Sequence, residues 1–174
     1  MTIRVVLVDD QEMIRMGFRM VLSTKPGIEV VGEADDGDTA VALLAGLDAD
    51  VVLMDIRMPR LNGVEATRQI RALPDAPQVL ILTTFDLDEY AYEALKAGAS
   101  GFLLKDTPVD DIAAAIEHIY RGDAVVAPST TRRLLDHFAA AQPIVARADR
   151  GMVEELTPRE NEILILMGRA MSNA

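Results

Sequence analysis

Residues 51–59 read Val-Val-Leu-Met-Asp-Ile-Arg-Met-Pro, a four-residue apolar run that stops at an acid and leads on to a proline. The run from Val51 to Met54 is short and continuously apolar, which is typical of a parallel strand that is covered on both faces. An acid directly after such a strand lies at the carboxyl edge of the sheet. Asp55 therefore predicts a polar site at that edge.

Similar short apolar runs recur along the chain and alternate with segments of helical period. The predicted strands are Ile3–Val8, Ile28–Glu33, Val51–Met54, Val79–Leu82 and Ser100–Leu104. The predicted helices are a first one on the stripe from Ile14 to Leu22, then Asp38–Leu47, Asn62–Leu73, Asp86–Ala97 and Pro108–Arg121. This (βα)5 alternation predicts an α/β fold, a doubly wound five-stranded parallel sheet of flavodoxin-like order with a C-terminal helical appendage.

The charge of the chain is unevenly distributed. Residues 1–120 carry 10 Lys and Arg against 21 Asp and Glu, whereas residues 121–174 carry 7 of each kind. An acidic surface repels nucleic acid, so any contact with DNA has to come from the C-terminal part. The chain has no cysteine, which excludes a disulfide framework and a thiolate metal site. Its apolar runs fall well short of the ~20 residues of a membrane span. We therefore expect a cytoplasmic protein that makes no membrane contact.

Polar side chains collect at the predicted carboxyl ends of four strands. The five residues are Asp9, Asp10, Asp55, Thr83 and Lys105. Each one alone would be an ordinary turn or surface residue, but their convergence on one edge of the sheet indicates a site. Three crowded carboxylates resist being ionised together, and a hard divalent cation relieves that repulsion. Mg²⁺ prefers such oxygen ligands, so the sequence predicts a magnesium site.

These residues lie in motifs that resemble the receiver-domain signature of two-component response regulators. The motifs are Val8-Asp9-Asp10, Met54 to Pro59 followed by Asn62-Gly63, Thr83, and Phe102 to Lys105, and the resemblance covers residues 1 to about 121. It implies that Asp55 is the phosphoacceptor for a partner sensor histidine kinase. The receiver would then assist its own Mg²⁺-dependent phosphorylation and dephosphorylation, without being an enzyme in the ordinary sense.

The resemblance also implies a role for each site residue. Asp10 and Asp55 would bind Mg²⁺, with Asp9 assisting through water and the backbone carbonyl of Arg57 completing the protein ligands. Lys105 would pair with the phosphoryl group. Two residues would act as the switch: Thr83 would move to hydrogen-bond a phosphoryl oxygen, and Phe102, where many relatives have Tyr, would turn inward behind it.

The C-terminal part has a different pattern. It predicts a sixth helix at Pro128–Ala141, a linker at Gln142–Val153, and a further helix opened by Thr157 as its N-cap. We therefore expect a receiver domain at 1–121, a helix and linker at 122–154, and at 155–174 the start of a helix-turn-helix domain that resembles the NarL/FixJ-type output domain.

The recognition helix of that output domain would follow Ala174, so no DNA-binding residue is expected within this chain. On this interpretation the sequence is a shortened form of a longer regulator that binds promoter DNA. We also expect a homodimer on activation, since the first and fifth helices are common dimer surfaces of receivers. A natural truncation that acts as a stand-alone receiver or phosphorelay protein stays open.

Two other classes fit the residues less well. A Mg²⁺-dependent phosphatase that forms an aspartyl phosphate on a similar sheet needs a second Asp two residues after its nucleophile, where this chain has Arg57. A flavin or nucleotide binder needs a loop rich in Gly, Ser or Thr after the first strand. Asp9, Asp10 and Glu12 would instead repel a phosphate there.

Overall fold

The computed structural model describes residues 2–84, 88–126 and Thr131. Its strands are β1 (Ile3–Val8), β2 (Ile28–Ala34), β3 (Val51–Met54), β4 (Gln78–Thr83), β5 (Gly101–Leu104) and β6 (Val125–Val126). Its helices are α1 (Glu12–Leu22), α2 (Gly37–Leu44), α3 (Gly63–Arg71), α4 (Asp88–Lys96) and α5 (Val109–Tyr120).

The strands of the described residues form one parallel sheet in the order β2-β1-β3-β4-β5-β6. The predicted flavodoxin-like, doubly wound sheet is confirmed, but it has six strands in the described part of the chain where the sequence predicts five. The additional strand β6 pairs with β5, Gly101 opposite Val125 and Phe102 opposite Val126. The two backbones approach closely, because a Cβ on Gly101 would lie 2.6 Å from the Val125 carbonyl oxygen. A two-residue strand carries no measurable periodicity, which is why the sequence did not predict it.

The sheet separates two layers of buried side chains. Successive residues of a strand point to opposite faces, so in β1 Val6 faces one layer and Val5 the other. The first layer is closed by residues of α2, α3 and α4, and the second by residues of α1 and α5. Burial on both faces explains the continuous apolar runs in the sequence, and it leaves the strand ends as the place where polar side chains can gather.

The helix ends differ from the predicted ones by one to three residues, for identifiable reasons. Asn62 lies just outside α3 as its N-cap, and its side chain accepts a hydrogen bond of 2.9 Å from the Glu65 N–H. Pro108 precedes α5 in the same way. Helix α2 begins at Gly37 and ends at Leu44, three residues before the predicted end. The predicted C-terminal elements, apart from Thr131, lie outside the described residues, as do residues 85–87.

Replacing either of two glycines by alanine should change the stability of the fold, but in opposite directions. A Cβ on Gly63 would lie 2.0 Å from the Asp55 carbonyl oxygen, whereas a Cβ on Gly17, inside α1, meets nothing within 4 Å. We expect Gly63→Ala to lower the free energy of unfolding by at least about 2 kcal/mol. Gly17→Ala should raise that free energy by about 0.5–1 kcal/mol, because alanine loses less entropy in a helix. Urea unfolding of both variants measures this, and effects of the same sign would contradict the packing described here.

Candidate functional site

Neighbouring strands deliver two acids to one place. β1 and β3 pair in register with Val8 opposite Met54, so the residues that follow them, Asp9 and Asp55, lie side by side. The Asp55 N–H also donates to the Val8 carbonyl oxygen at 2.8 Å. On the far side of Asp55, β4 and β5 end together, where the Lys105 N–H donates to a carbonyl oxygen of β4 at 2.8 Å. The parallel register therefore gathers residues that are far apart in the sequence.

Three carboxylates meet at this edge, as the sequence predicts. Oxygen atoms of Asp9, Asp10 and Asp55 all lie within 4.8 Å of one another. Asp9 and Asp55 are buried, whereas Asp10 is exposed at the mouth of the site. A cation placed among them would find oxygen ligands on its inner side and water on its outer side. Mg²⁺ takes oxygen ligands and keeps several waters, so the donor set fits this ion.

Lys105 places its ammonium group between the two buried acids. Its Nζ lies 2.5 Å from Asp9 Oδ2 and 3.1 Å from Asp55 Oδ2, and its side chain is only 6% exposed. One ammonium cannot balance three carboxylates, so the group keeps a formal surplus of negative charge. That surplus is a second reason why the site suits a divalent cation.

The environment of Asp55 opposes its negative charge. Burial raises the pKa of Asp55 above its usual range, and the nearby Asp9 acts in the same direction. Lys105 and the Ile56 N–H, which donates to Asp55 Oδ1 at 2.8 Å, partly offset this by favouring the ionised form. The net effect is that further positive charge placed near Asp55 would stabilise its ionised carboxylate.

The raised pKa predicts how stability changes with pH. The native state holds the Asp55 proton more tightly than the unfolded chain does, so the ionised carboxylate costs stability at neutral pH. This cost is relieved as the pH falls through the folded-state pKa toward the ordinary value of 3.8. Asp55→Asn lacks the cost at every pH. We therefore expect the stability advantage of the variant to shrink on acidification, in urea titrations with chelator present. An advantage that grows would contradict the assigned direction.

An open cleft of about 650 Å³ lies beside the carboxylates and is lined by Asp10, Arg57, Tyr90 and neighbouring residues. The guanidinium carbon of Arg57 stands 5.8 Å from the centre of the Tyr90 ring, a cation–π distance that links the loop after β3 to helix α4. Sequence reasoning missed Tyr90, because an aromatic residue on a helix gives no sign of which cation it will meet. The predicted metal-binding role of the Arg57 carbonyl stays a prediction.

The two predicted switch residues are both inside the molecule. Thr83 is the last residue of β4 and is 2% exposed. Phe102 of β5 is completely buried in the layer of side chains that includes Ile81. In this structure Phe102 therefore occupies an inward position, and its outward position and the movement of Thr83 stay predictions.

The fold and the acid cluster agree with one protein class. Residues 5–117 match the family model for the response regulator receiver domain, and the chain therefore belongs to this family of two-component signalling proteins. None of the described helices is long and apolar enough to cross a membrane.

Individual relatives extend over nearly the whole chain. It is 42% identical to the response regulator protein VraR of Staphylococcus aureus over 175 residues, which cover 99% of this chain and 79% of VraR. It is 40% identical to the uncharacterized transcriptional regulatory protein YxjL of Bacillus subtilis over 172 residues, covering 98% and 78% of the two chains. A LuxR-family two-component response regulator from Aurantimonas shares its fold with a TM-score of 0.74 at 34% identity, over 80% of this chain and 99% of the other.

Proposed function

We propose that this response regulator accepts a phosphoryl group on Asp55 from a sensor histidine kinase and controls transcription through its C-terminal part. The observation that carries the phosphorylation step is the cluster of three carboxylates within 4.8 Å, with the Lys105 ammonium against the buried pair. In this arrangement the Asp55 carboxylate would be the nucleophile, and the groups around it can bind cations and phosphoryl oxygens.

In the transfer, an Asp55 carboxylate oxygen attacks the phosphorus of a phosphohistidine in line with the bond to nitrogen. That P–N bond breaks, and its electron pair returns to the imidazole. Lys105 pairs with the transferred group and offsets the charge on its equatorial oxygens. Thr83 moves to hydrogen-bond one of these oxygens, and Phe102 holds its inward position behind it. The chain therefore mainly positions the reacting groups and offsets the negative charge on the transferred group.

Mg²⁺ would supply positive charge at the phosphoryl oxygens. Asp10, Asp55 and the Arg57 carbonyl would hold it directly, and Asp9 would assist through water. Asp10 is exposed and would leave the ion accessible to water and to the phosphodonor, whereas the buried Asp9 and Asp55 would hold it from inside the protein. Loss of the group would be a separate hydrolysis: a water oxygen attacks the phosphorus, the bond to the Asp55 oxygen breaks, and inorganic phosphate and the free carboxylate are released.

The proposed control of transcription rests on the relatives and on the C-terminal sequence. One relative is named a transcriptional regulatory protein, and a similar structure is described as a LuxR-family regulator. We assign residues 1–121 to the receiver, 122–154 to a connecting segment whose first residues add β6 to the receiver sheet, and 155–174 to the start of a helix-turn-helix. The regulator would bind promoter DNA as a homodimer after activation in the cytoplasm.

The proposal is tested with acetyl phosphate, a small phosphodonor that needs no kinase. The full chain should gain the mass of one phosphoryl group in the presence of Mg²⁺, measured on the intact protein. Removing divalent cations with a chelator should lower the rate at least about tenfold, because the three carboxylates then lack a counter-ion. Failure to take up phosphate, or uptake that is indifferent to the chelator, would overturn the proposal.

A further inference from the structure

Asp36 is a completely buried acid outside the carboxylate cluster. It is the N-cap of α2, and its side chain is fully shielded from solvent, with 0% exposure. Oδ2 accepts the backbone N–H of Arg60 at 2.9 Å, and Oδ1 accepts the backbone N–H of Leu61 at 2.8 Å. Both carboxylate oxygens are thus bonded to the main chain of a loop that is distant in sequence.

That loop, residues 55–62, connects β3 to α3 and carries the proposed metal ligands at its start. It begins at Asp55 and includes Arg57, whose carbonyl is a proposed ligand. The Gly63 N–H, just after the loop, donates to the Ile56 carbonyl oxygen at 2.9 Å and so ties the end of the loop to its start. The shape of the loop is therefore fixed by one hydrogen bond that joins its two ends and by the two bonds from Arg60 and Leu61 to Asp36.

The packing around Asp36 leaves the loop little freedom to shift. A Cβ on the adjacent Gly37 would lie 2.3 Å from the Leu61 carbonyl oxygen, so the loop and the start of α2 are in direct backbone contact. Above this contact, the Arg60 guanidinium bonds to Asp35 at 3.1 Å and to Asp38 at 2.9 and 3.0 Å. Carboxylate bonds to backbone N–H groups are charge-assisted and strong.

We propose that Asp36 is a positioning residue for the cation site: by holding the backbone of residues 60 and 61, it sets the path of the loop so that the Asp55 carboxylate and the Arg57 carbonyl face one ion together. This inference rests on the proposed function, since it concerns the same Mg²⁺. Groups that orient the direct ligands of a metal change its affinity by about 10–100-fold when they are removed.

Asp50 provides a matched control for a purely structural role. It too accepts a backbone N–H, from Arg4 at 2.7 Å, and it is bonded to the Arg4 guanidinium at 3.0 and 3.2 Å. It directly precedes β3 and so lies at the opposite, amino edge of the sheet. Asp36→Asn and Asp50→Asn remove the same charge and similar hydrogen bonds, but only the first variant releases the loop.

The experiment measures Mg²⁺ binding by calorimetry on the full chain without any phosphodonor. We expect Asp36→Asn to weaken Mg²⁺ binding about tenfold or more, and Asp50→Asn to leave it within about twofold of wild type. Hydrogen exchange at the amides of Arg60 and Leu61 should be faster in Asp36→Asn alone. If circular dichroism shows that this variant does not fold, Asp36→Ser, which can still accept one N–H, is measured in its place. Weaker Mg²⁺ binding than in the wild type is again expected.

The outcomes separate the inference from the function it rests on. If the wild-type chain binds Mg²⁺ and the Asp36 variant binds it with the same affinity, the positioning role is overturned and the proposed function stays intact. Equal weakening by the Asp50 variant would also overturn it, because loss of stability would then explain both. A wild-type chain that binds no Mg²⁺ would overturn the inference together with the proposed metal site.

Discussion

Asp55→Asn will take up no measurable phosphoryl group from acetyl phosphate and Mg²⁺, under conditions in which the wild-type chain takes up one. The amide keeps the shape of the side chain, and its oxygen can still accept the Ile56 N–H. It lacks the anionic oxygen that attacks phosphorus, so the nucleophile is lost while the fold is kept. We expect a fall of at least about 100-fold in the initial rate, measured by intact-protein mass spectrometry.

The neighbouring acids make this a demanding test. Asp9 and Asp10 both have oxygens within 4.8 Å of those of Asp55 and remain in the variant, so they could accept the phosphoryl group if geometry did not select Asp55. Replacing the exposed Asp123, whose partner is His118, by Asn is the control and should leave the rate unchanged. Equal phosphate uptake by wild type and Asp55→Asn would show that the acceptor is another residue.

Lys105→Met will lower the free energy of unfolding by about 4 kcal/mol at neutral pH in the presence of a chelator. Lys105 is the cation in contact with both Asp9 and Asp55, at 2.5 and 3.1 Å, and all three side chains are less than a tenth exposed. Methionine fills a similar volume but leaves two buried carboxylates without that ammonium. Urea unfolding measures the loss.

Magnesium should restore much of the stability that this variant loses. An ion that binds only the native state stabilises it more, the more tightly it binds, and without the competing ammonium the carboxylates should bind Mg²⁺ more tightly. The control is Lys25→Met, because Lys25 pairs with the exposed Asp110. The free energy of unfolding of this control should fall by less than about 1 kcal/mol, and the fall should not depend on Mg²⁺. A Lys105 variant as stable as wild type, or equally stabilised by the ion, would contradict this account of the site.

The position of the site could be predicted because each of its residues is marked by a local sequence pattern. An apolar run that stops at an acid marks both a buried strand and its carboxyl end, so Asp9 and Asp55 could be placed from the sequence alone. Parallel pairing then brings those ends together whatever lies between them. The same logic placed Lys105 and Thr83 at the ends of β5 and β4.

The remaining features depend on partners that leave no trace in the sequence. Asp36 is bonded to main-chain N–H groups of Arg60 and Leu61, which every residue except proline possesses, so no residue pattern announces the contact. Tyr90 meets Arg57 across a cleft whose width is set by tertiary packing. The pairing of β6 depends on the free edge of β5, which is a property of the completed sheet.

Strand β6 affects where this protein can be divided. A receiver fragment that ended at residue 121, where α5 has just finished, would lack Val125 and Val126 and would leave the outer backbone groups of β5 unpaired along Gly101 and Phe102. Unpaired strand edges recruit strands from other molecules and promote aggregation. Gly101, with no side chain to block an incoming backbone, would make that edge especially receptive. Fragments for crystallisation or biosensor fusion should therefore extend beyond Val126, so that the protein covers its own edge.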